Sequence, residues 1–79
     1  MEVEKLTGRQ LFVLFELKNE LTDQDIENIY LGDNYLFYVE YVLQLITNWY
    51  RGHEYIIPNE IVLNFMTKRI MEYIKIYCI

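Results

Sequence analysis

The stretch NYLFYVEYVLQLITNWYRG, residues 34–52, decides how this chain is read. Seven of the thirteen aromatic residues lie between Tyr30 and Tyr50. Glu40, Gln44, Thr47, Asn48 and Arg51 recur at spacings of three and four, so they form one narrow polar stripe on a helix. The rest of the circumference is apolar or aromatic. A helix with so wide an apolar arc is covered on several sides. The expected element runs from about Tyr35 to Arg51, capped by Asp33 or Asn34 and stopped by Gly52.

Two rival readings of the stretch fail on elementary grounds. A membrane span needs about 20 apolar residues without central charges. Here Glu40 and Gln44 sit in the middle, and Asp33 and Arg51 close the run. A platform that stacks nucleic-acid bases needs cations beside its rings. None precedes Arg51 in the segment. A central core helix remains, with more tyrosine than one small core requires. Tyr and Trp combine apolar area with a polar tip, which suits them to protein interfaces.

Working outward, the punctuation of the other helices is explicit. In LTGRQL, residues 6–11, Thr7 and Gln10 are spaced as a capping box, with Leu6 and Leu11 at the flanking staple positions. Helix 1 is expected from about Gly8 to Glu20, with Leu11, Leu14, Phe15 and Leu17 facing inward. LTDQDI, residues 21–26, repeats the grammar with Thr22, Asp25, Leu21 and Ile26. Asp23 and Asp25 suit the positive end of a helix dipole. Helix 2 is expected over Asp23–Leu31, with Ile26, Ile29 and Tyr30 inward and Gly32 as a left-handed stop. HEYII, residues 53–57, reads as an extended and packed connector. Pro58 then opens helix 4, with Asn59 as the alternative cap, and the helix runs to Tyr77. Its inner face is read as Leu63, Met66, Ile70, Tyr73, Ile74 and Tyr77. Its outer stripe is Glu60, Asn64, Lys68, Glu72 and Lys75.

The 79 residues make one domain, residues 1–79, and the expected fold is an all-α bundle of three main helices and one short one. Hydrophobic residues are 53% of the chain, with no Ala and no Ser, so the core is built from large side chains. A domain this small buries only about 60% of the surface of its extended chain. With so many large apolar residues, some stay exposed, and contiguous exposed patches mark interaction sites.

The net charge is −5, unevenly spread. Residues 16–50 hold seven acids (Glu16, Glu20, Asp23, Asp25, Glu27, Asp33, Glu40) against Lys18 alone. From Arg51 onward the balance is +1. An acidic middle opposes a phosphate-binding footprint over the whole molecule and leaves room for a basic partner or for mimicry of a polyanion. The absence of Ala, the single Pro and the abundance of Ile, Tyr and Asn point to an AT-rich genome. The composition resembles that of small acidic helical proteins encoded by viruses and mobile elements. The polar, mixed-charge start MEVEKLTGRQ has no signal-peptide pattern, and a cytoplasmic location is expected.

No reaction chemistry assembles from the residue types. Serine nucleophiles are impossible, and a Cys–His pair would have to join His53 to the penultimate Cys78. A metal site needs three or four convergent ligands. Asp23, Asp25 and Glu27 start like a calcium loop, but its sixth and twelfth positions hold Asn28 and Asn34 instead of Gly and Glu. No enzyme, cofactor or metal is expected. Glu40 is read as part of a solvent-facing stripe, with an ion pair to Lys68 or Arg69 as the alternative.

The expected function is therefore a non-enzymatic protein–protein interaction module, such as a regulator or inhibitor of a host protein, that also self-associates as a homodimer. Its anchors are read as Tyr35, Tyr38, Tyr41, Trp49 and Tyr50, with Asp23, Asp25, Glu27 and Asp33 as a rim that steers a basic partner. Two alternatives are a small DNA-binding regulator using Arg51, Lys68, Arg69 and Lys75, and a homo-oligomeric structural component.

Overall fold

Among the described residues, two of the four helices begin where their side chains close on their own backbone. The computed structural model describes residues 6–77. Helix α1 (Gly8–Lys18) starts at Thr7, whose hydroxyl accepts from the Gln10 amide while Gln10 accepts from the Thr7 amide. Helix α2 (Asp23–Leu31) repeats the reciprocal pair with Thr22 and Asp25. Each box satisfies backbone donors that the first turn leaves free. Gly32, at φ 81°, ends α2 in the left-handed region. The Gly32 and Asp33 amides turn back to the carbonyls of Ile29 and Asn28.

Helix α3 (Tyr35–Gly52) has its limits close to expectation, but different residues set them. Asn34 occupies the N-cap in the left-handed region (φ 55°), and its side chain makes no capping hydrogen bond. Asn tolerates that region better than other residues with a Cβ, which explains its place in the Gly32–Asn34 turn. At the other end Gly52 is helical, and the left-handed residue is Glu54 (φ 61°). The Glu54 amide donates to the Arg51 carbonyl and the Tyr55 amide to the Tyr50 carbonyl, a Schellman closure. The helix therefore runs one residue past its expected end, and the left-handed position lies two residues beyond Gly52.

The connector also departs from expectation. Tyr55, Ile56 and Ile57 are all exposed, Ile56 at 92%. Helix α4 (Glu60–Tyr77) is opened by Asn59, whose side chain accepts from the Val62 amide, with Pro58 just outside.

The four described helices surround one core. Val13, Leu14 and Leu17 of α1, Leu21, and Ile29 of α2 meet Tyr38, Val42, Ile46 and Tyr50 of α3. Met66, Ile70, Met71 and Ile74 of α4 complete it. Helix α4 packs against all three others, and α3 also packs on α1. Thr67, buried on α4, returns its hydroxyl to the Leu63 carbonyl, so no polar group is stranded there. Among the described residues, no helix is long and apolar enough to cross a membrane.

The inner face of α1 is rotated from the expected one. Val13 is buried, whereas Leu11 and Phe15 are exposed. The line Val13–Leu17–Leu21 has the same four-residue spacing as Leu11–Phe15 and continues through the turn into the core, so it is the one that is covered. Tyr30 of α2 and Tyr73 of α4 are likewise exposed. The expectations for Cys78 and for the Tyr77 side chain fall outside the described residues.

Candidate interaction surface

The aromatic residues of α3 divide into three groups by what passes over them. Tyr38 and Tyr50 are core residues. Tyr38 lies under α2, where its hydroxyl donates to Asp25 Oδ1 (2.9 Å) and accepts from Asn28 Nδ2 (3.1 Å). Gln24 extends the network by donating to Asn28 Oδ1. Partial burial pushes the Asp25 pKa up. The Thr22 amide and the Tyr38 and Thr22 hydroxyls outweigh that, so the carboxyl sits below its ordinary value. For Tyr38 the Asn28 hydrogen bond pulls the pKa down. The hydrogen bond to Asp25, burial and the Asp25 charge together leave it raised. Burial also raises Tyr50, against a smaller opposing pull from Arg9.

Tyr41 and Trp49 are half-buried. Tyr41 stacks on Phe37 at 5.8 Å. Trp49 ties the end of α3 to α1, its indole N–H donating to Glu16 Oε1 at 3.0 Å. The His53 ring stacks on Trp49 at 3.9 Å, and Tyr55 flanks the indole at 5.8 Å. The Arg9 guanidinium lies 4.2 Å over Tyr55. The His53 Nδ1 is 2.9 Å from the Trp49 carbonyl. A carbonyl only accepts, so Nδ1 carries the proton. This cluster of rings is a joint between α1 and the α3 terminus.

Tyr35, 47% exposed, is the most exposed of the expected anchors, and it stands beside Leu36 and Phe37. Tyr35 and Leu36 line a groove of about 420 Å³ between α3 and α4, together with Val39, Ile61, Phe65 and Lys68. A second groove of about 230 Å³ lies between α1 and α4, walled by Leu11, Phe15 and Tyr73 with Lys18 and Arg69 at its rim. The two grooves run along opposite sides of the outer ridge of α4. Leu36 is 77% exposed, Ile61 72% and Phe15 65%.

These apolar wall residues were not among the expected anchors, but a signal for them existed. Leu36 lies four residues before Glu40, so the polar stripe of α3 extended backward by one turn reaches it. Ile61 and Phe65 each lie seven residues before Lys68 and Glu72, members of the outer stripe of α4.

The acids expected as a rim are not equivalent. Asp23, Glu27 and Asp33 are exposed, whereas Asp25 is committed to its capping box and to Tyr38. Glu40 is exposed on its stripe. The cations of the DNA-binding alternative are dispersed. Arg51 donates to Asn48 (3.4 Å), Lys68 and Arg69 stand in different grooves, and Arg69 lies 5.7 Å over the Phe65 ring. Lys75 is exposed further along α4. Among the described residues, no three His, Cys, Asp or Glu side chains converge where a metal ion could sit.

The chain matches no family model, and no curated protein or solved structure is detectably similar to it.

Proposed function

We propose that this chain is a non-enzymatic protein–protein interaction module that acts by laying an apolar face against another protein or a second copy of itself. The observation that carries the reading is the apolar belt astride α4. Leu11, Phe15, Leu36, Ile61 and Ile76 all stay exposed although they sit on helices whose other faces are packed. Isolated exposed apolar side chains are ordinary, but grooves walled by several of them mark places where a partner removes apolar area from water. In this reading the exposed acids Asp23, Glu27 and Asp33 steer approach, and the grooves supply affinity. A regulator or inhibitor of a host protein, encoded by a virus or mobile element and acting in the cytoplasm, is the biological setting that the composition suggests.

The test compares the wild type with a Leu36→Gln/Ile61→Gln variant. Both changes lie on exposed walls, so circular dichroism and the thermal midpoint should match the wild type. Tagged wild type should recover a stoichiometric protein from lysate of its own host or sediment as an oligomer, and the variant should do neither. A wild type that stays monomeric and recovers nothing overturns the reading, as does a variant that associates like the wild type. A salt-dependent mobility shift of DNA by the wild type would favour the DNA-binding regulator in its place.

A further inference from the structure

We infer that the outward seam of α4 takes a second copy of this chain in antiparallel register, with Arg69 against the partner's Glu72 and Phe65 against the partner's Ile76. The inference rests on the interaction-module reading and specifies which surface serves self-association.

Phe65, Arg69, Glu72 and Ile76 follow one another at spacings of four, three and four. That spacing places them along one side of a helix, in the rhythm of a helix–helix seam. Their order is apolar, positive, negative, apolar. Read from the other end it is apolar, negative, positive, apolar. Two copies laid antiparallel about a two-fold axis between Arg69 and Glu72 therefore bring opposite charges together twice and apolar side chains together twice. A parallel alignment would set like charges side by side. An isologous contact needs a patch complementary to itself under the two-fold operation, and this seam meets that condition.

The distribution of charge points to the same occupant. Two copies of a chain with net charge −5 repel through their acidic portions, residues 16–50. Helix α4 carries Lys68, Arg69 and Lys75 against Glu60 and Glu72, a local balance of +1, so here two copies approach without that repulsion. The side chains are available: Glu72 is exposed, Ile76 is 64% exposed, and Phe65 and Arg69 are half-buried.

The apolar walls beside the seam enlarge the surface that a second copy would cover. A stable interface removes about 800 Å² from each partner. That is about one seventh of the 5674 Å² that this chain exposes. The 18 residues of α4 span roughly 27 Å. The grooves on either side add Leu36 and Ile61 on one flank and Leu11 and Phe15 on the other.

The decisive experiment is a charge exchange read by sedimentation equilibrium on the full chain, with helical content followed by circular dichroism. Arg69→Glu and Glu72→Arg, each alone, place like charges across the seam and should weaken the homodimer at least about tenfold. The two variants mixed should form a heterodimer of near wild-type affinity, because both contacts become attractive again. Arg69→Glu/Glu72→Arg in one chain should also restore the homodimer. Each single change also disturbs the Arg69–Glu72 spacing within its own helix, but mixing two chains does not repair an intrachain defect, so rescue in the mixture identifies the contact as intermolecular. Single variants that dimerise like the wild type, or a mixture that stays dissociated, overturn the antiparallel seam. If those variants behave like wild type while Leu36→Gln/Ile61→Gln abolishes association, the interaction module stands and only the α4 register falls. A wild type that remains monomeric overturns the seam, while capture of a foreign protein on the apolar walls sustains the broader reading.

Discussion

The two ends of α3 are built from the same kinds of residue and have opposite fates. At its start, Tyr35, Leu36 and Phe37 follow a left-handed Asn34 that makes no side-chain cap, and all three are exposed. At its end, Tyr50 is buried, and Trp49 is hydrogen-bonded to α1 and packed against the rings of His53 and Tyr55. Side-chain hydrophobicity does not distinguish the ends. What distinguishes them is whether another element crosses over. Helix α1 and the folded-back connector cover the C-terminal end, while no described element caps the N-terminal rings. Aromatic residues left uncovered beside a groove are surface available to a partner, and the covered ones are mechanical.

Substitutions at the two ends should differ sharply in their effect on stability. Tyr50→Ala removes a buried ring at the closed end and should cost about 3–5 kcal/mol in urea or thermal unfolding, enough to threaten folding in so small a domain. Ile46→Ala, at a fully buried position one turn earlier, should cost about 2–5 kcal/mol. For the same reason Tyr38→Ala would report on the core instead of on docking.

Next in size are the backbone terms where α3 terminates. Glu54 holds a conformation that favours glycine, so Glu54→Gly should raise stability by about 1 kcal/mol. Gly52 is helical, and an added Cβ would meet nothing within 4 Å. Gly52→Ala should therefore raise stability by about 0.5–1 kcal/mol. Either gain, seen as a higher urea midpoint, sharpens the contrast between a well-closed end and an open one. At the open end Leu36→Gln should change stability by less than about 0.5 kcal/mol while weakening association.

The smallest effects are those of pH. The raised pKa values of Tyr38 and Tyr50 contribute stability that is present below the ordinary tyrosine pKa and lost as pH climbs through the folded-state values. In an alkaline absorbance titration Tyr38 and Tyr50 should ionise late, and Tyr50→Phe should remove one late-ionising group. Asp25 has the opposite sign. Its lowered pKa contributes stability that is present above the ordinary carboxylate range and lost as pH falls through its folded-state value. Asp25→Asn should make acid unfolding shallower.

Much of the fold was legible because short-range chemistry wrote it. Both capping boxes, the left-handed Gly32 and the Asn59 cap depend on residues within a turn of one another, and each operates as its spacing implies. The candidate surface was legible only in part. The stripes on α3 and α4 could be extended to Leu36, Ile61 and Phe65. Nothing local, however, separated Tyr35 from Tyr38, since one is uncovered and the other lies beneath α2.

By itself the sequence determined that the chain is helical, where α1 and α2 begin, where α2 ends and which side of α4 is charged, because those outcomes rest on helical periodicity and on hydrogen bonds within a few residues. Only the tertiary structure decided which apolar line of α1 turns inward, that Glu54 and not Gly52 takes the left-handed position, and which tyrosines are core. Those choices depend on which element packs over each side chain, and a chain with large apolar residues on nearly every face leaves them open until its helices meet.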